Sequence, residues 1–472
     1  MPMRFWFTVL GLLIACVSFF GMSLAGMPRA QCWTAAVTAV CAVWWMFEAL
    51  PLAATSLVPL AVFPLAGVLT EKQAAAAYGD PIVLLFMGGF MLSKACERWG
   101  AHRRLASVMM AATGVASGRR VLLAFMLTTA VISMWISNTA TVLMMLPVAI
   151  ALLERDTSGK LAVPLLLGVA YSSSIGGIAT PIGTPPNGVF LAVYRELAGQ
   201  SVPFHSWMLA TIPVSLVTLL AAWVVLCRRL GDVEGIDVES SGEWTSPQLR
   251  TLAVFGLAAL GWITRDVPRG GWSGLLGLSG GDGDTAVAIA AVVILFLIPS
   301  GQSPGSRLLD WATAVSIPWG VLILFGGGIA IANAFESSGL SAALGERVQG
   351  LQELPTLPMI AVLCFIVTFL SEFTSNTATS NILMPVLGAA AKANGLDPLL
   401  LMFPATLSNS LAFMMPVGTA PNAIAFGTGH VRIADMVRAG LIINLLGVVI
   451  VTLVSWWLMP VVFGVSFTIG QN

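Results

Sequence analysis

Long apolar runs alternate with short polar gaps along the whole chain. The runs fall roughly at 5–25, 30–48, 51–69, 81–97, 121–153, 161–194, 206–227, 250–265, 285–299, 313–335, 356–391, 397–429 and 438–463. Most have about 17–25 residues, the length of one membrane-crossing helix. They are continuous rather than alternating, which favours helices over a β-barrel. The pattern predicts an all-α polytopic membrane protein. Four runs, 121–153, 161–194, 356–391 and 397–429, have about 33–36 residues. That is too long for one straight span and too short for two with a turn. Gly, Pro, Ser, Thr or Asn interrupts each in the middle, as in re-entrant hairpins and broken helices.

Composition agrees with the pattern. The 472 residues are 57% hydrophobic and 9% charged, against about 25% charged in soluble chains. Mean hydropathy is +0.91. Net charge is zero, so nothing suggests a nucleic-acid partner. The six Cys are scattered and have no metal-ligand spacing. Run 5–25 follows Arg4 and ends near "SLAG", which mimics a signal-peptidase site. Its length suits a spanning helix better than a signal peptide. The acidic stretch 228–249 reads as a linker without a soluble domain.

Positive charge orients the spans. With 121–153 and 356–391 as hairpins, 161–194 and 397–429 as broken spans, and the N-terminus inside, 14 Lys/Arg are cytoplasmic and seven external; Lys94 lies within a span. That two-to-one bias supports about eleven crossings and a C-terminus outside. Loops 98–120 and 154–160 then face the cytoplasm, and 340–355 faces outside. Lys94 reads as snorkelling or paired near a helix end, with a gating role as the alternative.

The two halves match in three places. "LLFMGGF" (84–90) resembles "LILFGGG" (322–328), "SNTATVLMMLPV" (137–148) resembles "SNTATSNILMPV" (375–386), and "PIGTPPN" (181–187) resembles "PVGTAPN" (416–422). All stand 235–238 residues apart in the same order, which indicates duplication. Five crossings separate the hairpins, so the first enters from the cytoplasm and the second from outside. This is an inverted-topology repeat, the signature of a secondary transporter with a site near the midplane. The paired glycines at 88–89 and 326–328 read as close helix-packing sites.

The interruptions carry the chemistry. Ser, Thr and Asn favour helix N-caps, and a half-helix N-terminus offers free N–H groups and partial positive charge. Thr184 can cap the half-helix after the first break, with Pro185 at its first position; Thr419 occupies the matching place. Gly183 and Gly418 permit close backbone approach. Hydroxyls of Thr139, Thr184, Thr377 and Thr419 and amides of Asn138 and Asn376 suit a small dianion. No Arg lies in these motifs; neutral donors release an anion more readily than a buried ion pair does. Broken-helix carbonyls with Ser, Thr and Asn oxygens also suit Na+. Glu372 is the one carboxylate near a hairpin tip; its repeat counterpart is Met134. Interhelical glue is the structural alternative for a lone Ser-Asn-Thr, but two copies in this context argue against it. A pore could also be lined by broken helices, but it could not accumulate substrate against its gradient. An intramembrane hydrolase would need a nucleophile–base pair, and no His or Asp lies near either motif.

At these residues the chain resembles the divalent anion/sodium symporters, bacterial sodium-coupled dicarboxylate branch. "GVAYSSSIGGIATPIGTPPN" (168–187), "SEFTSNTA" (371–378), "FGTGHVRIADMVRAGLIIN" (426–444) and the paired Ser-Asn-Thr motifs carry the likeness, which extends over nearly the whole chain. The resemblance implies a homodimer in the bacterial inner membrane. It implies a scaffold (1–120, 250–355) and a transport domain (121–227, 356–463), joined by the linker 228–249 and working as an elevator. It implies substrate contacts from Asn138, Thr139, Thr184, Asn376, Thr377 and Thr419. One Na+ site would use Ser133, Ser137, Asn138 and Gly183. The other would use Ser371, Thr374, Asn376 and Gly418. The expected cargo is a C4 dicarboxylate such as succinate, malate or fumarate, imported with Na+. A sodium-independent exchanger or a sulfate carrier is the alternative. Ala420 departs from the family's Thr-Pro-Pro, and Thr184 stands where Ser is frequent.

Overall fold

The computed structural model describes residues 2–113, 117–154, 156, 159–228, 230, 243–265, 270–277, 283–347 and 355–465. Most of the linker 228–249 lies outside this set. So do 114–116, 155, 157, 158 and 348–354 of the three loops used for orientation. The described residues form helices and no strand. Five helices are long and apolar enough to cross a membrane: Arg4–Leu24, Glu71–Arg98, Phe204–Cys227, Trp319–Ser337 and Ile433–Phe463. Leu52–Leu65, Asn138–Leu153, Ala162–Gly177, Gly283–Leu297, Thr356–Ser371 and Leu399–Asn409 are apolar but shorter. Only 6% of the first helix is buried inside the protein, with Phe5, Trp6, Leu13, Val17 and Phe20 exposed. That surface suits lipid, not water.

Run 51–69 is not one straight span. It forms Leu52–Thr55 and Val58–Leu65. The reason is proline: Pro59 has no N–H to bond the Thr55 carbonyl, and it sits at the start of the second piece, where none is needed.

Both hairpins are present. Helix Gly118–Ser133 turns at 134–137 into Asn138–Leu153, and Thr356–Ser371 turns at 372–375 into Asn376–Ala393. Both broken helices are present too. Ala162–Gly177 resumes as Pro185–Ala198, and Leu399–Asn409 resumes as Ala420–Gly427. Each broken helix begins on its own hairpin and ends on the other. Ala162–Gly177 packs on Gly118–Ser133, while Pro185–Ala198 packs on Asn376–Ala393. Leu399–Asn409 packs on Thr356–Ser371, while Ala420–Gly427 packs on Asn138–Leu153. The broken helices also touch each other, with the Tyr171 and Phe413 rings 4.9 Å apart. The crossed packing brings the two hairpins into one body.

Small residues make these contacts possible. A Cβ on Gly176 would overlap the Ala130 backbone, one on Gly88 would strike Ala288, and one on Gly326 would strike Tyr78. The paired glycines are therefore packing sites. Lys94 is paired, 2.6 Å from Glu97, and beside it Arg98 meets Asp310 at 2.5 Å. The Thr313 backbone N–H, then its hydroxyl and Arg98, hold the Asp310 carboxyl below the usual range. Two further pairs, Arg195–Asp80 and Lys392–Glu336, tie the hairpin body to the helices Pro81–Arg98 and Trp319–Ser338. Partly exposed pairs of this kind contribute little stability and more register.

Candidate functional site

Each hairpin tip is joined to the break of its own half. At the first tip, Ser133 is buried and its hydroxyl donates to Asn138 Oδ1 at 2.7 Å. The Asn138 side chain lies against Gly177, where a Cβ would come within 2.6 Å of Oδ1. The Thr180 hydroxyl donates to the Met134 carbonyl at the tip. A Cβ on Gly183 would lie 3.0 Å from that same carbonyl oxygen and closer still to that of Gly177. Ser133, Asn138, Gly177, Met134 and Gly183 thus form a cluster of neutral oxygens around a bare glycine. Ser137 caps its helix, accepting from the Ala140 N–H at 3.3 Å. One lone pair of its hydroxyl is engaged there, while its proton and second lone pair remain.

The second tip repeats the arrangement with different atoms. Ser371 is buried, and its hydroxyl donates back to the Thr368 carbonyl at 2.9 Å. Thr374 and Thr379 share a hydroxyl–hydroxyl bond of 2.6 Å. Gly418 faces the carbonyl oxygens of Ser371 and Glu372, 3.4 and 3.5 Å from its Cβ position. Asn376 Oδ1 is buried with no hydrogen-bond donor. A buried carbonyl oxygen without a donor is costly, and a bound cation would satisfy it. This fits the oxygen-ligand chemistry expected of Na+.

The four expected helix N-termini differ in what they can donate. Ser137 and Ser375 sit at the N-caps of the tip helices. The N–H groups of the next two residues, Asn138 with Thr139 and Asn376 with Thr377, have no acceptor within the helix. Thr139 is exposed, and Thr377 is partly so. At the second break Thr419 caps its helix, accepting from the Asn422 N–H at 3.2 Å. At the first, Thr184 occupies the N-cap but makes no capping bond. The Asn187 N–H, whose counterpart at Asn422 donates to the Thr419 hydroxyl, goes to the Thr184 carbonyl instead, and Pro185 and Pro186 have no N–H to offer. The Thr184 hydroxyl is left for another partner. Backbone donors for an anion therefore come mainly from the tips, and hydroxyls from the breaks.

Two residues of the quoted motifs act in a way the sequence did not disclose. Asn187 Nδ2 donates to the carbonyls of Gly177 (3.1 Å) and Thr180 (2.8 Å). Asn422 Nδ2 donates to those of Ala412 (3.1 Å) and Met415 (3.0 Å). Every partner is shifted by the motif's own 235 residues. Each Asn staples its break across both ends, and each leaves its Oδ1 buried without a donor. The signal was the final Asn of "GTPPN" and "GTAPN". Asn409 is a third. Its Nδ2 donates to the Asn376 carbonyl and to Ser380 Oγ, tying the second tip to the helix before the break.

The tips differ in their outer packing. Trp135 stacks on Phe204 and Trp262, with centroids 6.2 and 6.4 Å away. Its counterpart Phe373 is 68% exposed.

Comparisons with known proteins bear on the chain as a whole. A family model described as the sodium:sulfate symporter transmembrane region matches residues 3–463. A sodium-dependent dicarboxylate transporter, SdcS, of Staphylococcus saprophyticus subsp. saprophyticus is 37% identical over 457 residues, 92% of this chain and 87% of the relative. Its namesake in Staphylococcus aureus is 36% identical over 481 residues, 97% and 92% of the two chains. The fold is also similar to the YdaH transporter of Alcanivorax borkumensis, with a TM-score of 0.57 at 13% identity, covering 85% of this chain and 88% of that one. The match over nearly the full length, with relatives above a third identical, places this chain in the sodium:sulfate symporter family.

Proposed function

We propose that the chain is a secondary active transporter that imports a small dicarboxylate dianion with Na+, the cargo being a C4 acid such as succinate, malate or fumarate. The observation that carries this reading is the 36–37% identity, over 92–97% of the chain, to relatives named as sodium-dependent dicarboxylate transporters. The site supports it. Two tips with free N–H groups can each face one carboxylate, and two oxygen clusters can each hold a cation. Asn138 and Asn376 stand between, with amide oxygens toward the clusters and N–H groups at the tip helices. Anion and cation then neutralise each other inside the protein, so the anion needs no Lys or Arg beside it.

The crossed packing of hairpins and broken helices supports their moving as one transport domain (121–227, 356–463) against the scaffold (1–120, 250–355), in an elevator motion. The exposed apolar first helix suits lipid contact in a homodimer in the bacterial inner membrane. The charge bias supports eleven crossings, a cytoplasmic N-terminus and a periplasmic C-terminus. On this topology, single Cys placed in 98–113 react only from the cytoplasm and those in 340–343 only from outside, on a Cys-free background. Labelling of 340–343 from the inside alone would overturn the inverted repeat.

The functional test is uptake of labelled succinate into proteoliposomes, with and without a Na+ gradient, against competing anions and at several pH values. Accumulation should require the gradient. Equal uptake in choline would favour the exchanger, and stronger competition by sulfate would favour the sulfate carrier. The proposed donors are dipoles that do not titrate between about pH 5 and 8. The ligand's carboxyls titrate near pH 4–5, by analogy with Asp and Glu. Apparent affinity for succinate should therefore fall toward pH 5, while affinity per dianion stays flat. Affinity that rises on acidification would mean that the monoanion or a protonated protein group is the binding species, with Glu372 the first residue to mutate.

A further inference from the structure

Glu372, 1% exposed, is the first residue of the second tip. Its Oε1 accepts from the Phe413 N–H (2.7 Å), the Met414 N–H (2.9 Å) and Asn444 Nδ2 (2.6 Å). Its Oε2 accepts from the Met414 and Met415 N–H groups at 3.0 and 2.8 Å. Both oxygens face donors only, so the geometry suits the carboxylate and leaves no acceptor for a carboxyl proton. None of these partners is a cation. A buried anion is thus held entirely by N–H groups, three of them from consecutive residues of one break.

This changes the backbone. In a continued helix the N–H groups of 413–415 would bond the carbonyls of Asn409, Ser410 and Leu411. They turn to Glu372 instead. The helix accordingly ends at Asn409, whereas its repeat-mate runs to Gly177, the counterpart of Ala412. Three carbonyls at a helix C-terminus, where the dipole is negative, lose their helical donors. In the first half the position of Glu372 holds Met134, which offers only its backbone carbonyl, to the Thr180 hydroxyl. Thr180 and Met415 are repeat counterparts. The same two positions are joined in both halves, by a neutral bond in one and by a carboxylate in the other. The last helix, Ile433–Phe463, seals the second arrangement. Gly440 presses on the backbone of Phe413 and Met414 so closely that no Cβ fits. One turn on, Asn444 donates to Glu372 and accepts from the Phe413 N–H at 3.2 Å.

We propose that Glu372 is the positioning residue that makes the two cation sites unequal: it holds the second break open as a standing carboxylate, and its charge with the carbonyls it releases makes the second half the tighter Na+ position. The proposal rests on the Na+-coupled reading above. Asn376 Oδ1 and Asn409 Oδ1 are both buried without donors, and Asn409 Nδ2, which donates to the Asn376 carbonyl, joins the two residues beside this opened turn.

The test is a Na+ titration of the thermal unfolding midpoint of the purified full chain, with choline balancing ionic strength. In Glu372→Gln, which keeps the size and loses the charge, the Na+ concentration for half the shift should rise at least about tenfold. Glu372→Asp, which keeps the charge, should recover part of that loss. Asn444→Ala removes one donor and keeps the charge, so its Na+ dependence should stay within about threefold of wild type while its midpoint falls. Midpoints that fall in Glu372→Gln and Asn444→Ala with Na+ dependence unmoved in both would overturn the proposal. If Glu372→Gln does not fold, hydrogen exchange of the wild type decides. The amides of 413–415 should be protected in choline already; fast exchange there, slowed only by Na+, would refute a standing clamp. A wild-type midpoint indifferent to Na+ would instead refute the Na+-coupled reading itself.

Discussion

Asn138→Ala and Asn376→Ala should each abolish concentrative uptake, and each should weaken Na+ and substrate together. The reason is the double position of these side chains. Asn138 supplies Oδ1 to the Ser133 hydroxyl and lies against Gly177, inside the first oxygen cluster. Its backbone N–H opens the tip helix that we propose faces the anion. Asn376 holds the same place, with a buried Oδ1 that no protein donor satisfies. Hydrogen bonds or ligand contacts to charged groups are worth about 1.5–3 kcal/mol, which corresponds to roughly 10- to 150-fold in affinity. Coupling between the two ligands is reciprocal, so losing a Na+ ligand also removes the affinity that Na+ lends the dianion. Thermal-shift titrations with Na+ at fixed succinate, and with succinate at fixed Na+, read both terms. The two Asn need not be equal. Ala at 138 orphans one buried hydroxyl, whereas Ala at 376 removes an oxygen that is already unpartnered. The protein without Na+ should therefore lose more stability in Asn138→Ala. A variant with an intact Na+ titration and weakened succinate binding alone would show that its Asn serves the substrate only.

Most of the architecture could be read from the chain, because bilayer physics leaves few choices. An apolar run must be helical, and a polar interruption at depth must be folded back onto protein. Runs 121–153 and 356–391 accordingly became hairpins, and 161–194 and 397–429 became broken helices. What could not be read was the use of individual polar atoms. "GTPPN" places Thr184 at an N-cap, but whether its hydroxyl caps depends on where the Asn187 N–H goes. The Asn staples depend on carbonyls seven and ten residues back, which no helical period brings near; only the folded break does. Glu372 stood out as a lone carboxylate, yet its partners at 413–415 and Asn444 are 41 to 72 residues away in sequence. The broken run 51–69 was hidden for a simpler reason. Hydropathy averages over Pro59, which is apolar enough for a span and still stops the helix.

Gly183→Ala should destroy function where Gly418→Ala is tolerated, although the two glycines are repeat counterparts. A Cβ at 183 would meet the Met134 carbonyl oxygen at 3.0 Å and press still closer on that of Gly177. Neither can yield easily. The Gly177 carbonyl is fixed by the Asn187 staple, and Met134 by the Thr180 hydroxyl. The added methyl would push apart two carbonyls of the first oxygen cluster, at an overpacking cost of about 1–3 kcal/mol. At 418 the nearest atoms stand at 3.4–3.5 Å from the same point, which is ordinary contact. The two breaks differ here in which atoms face the glycine: the Gly177 carbonyl at the first, and the Ala412 side chain with the Ser371 and Glu372 carbonyls at the second. Gly183→Ala should therefore reduce succinate uptake below about a tenth of wild type and raise the Na+ requirement, while Gly418→Ala stays within about twofold. Uptake and the Na+-induced thermal shift, measured side by side on both variants, check this. Equal damage at both positions would mean that glycine is needed for backbone freedom alone, and that the two breaks are equivalent in the working protein. Damage at 418 only would reverse the assignment of which cluster is close-packed around its ion.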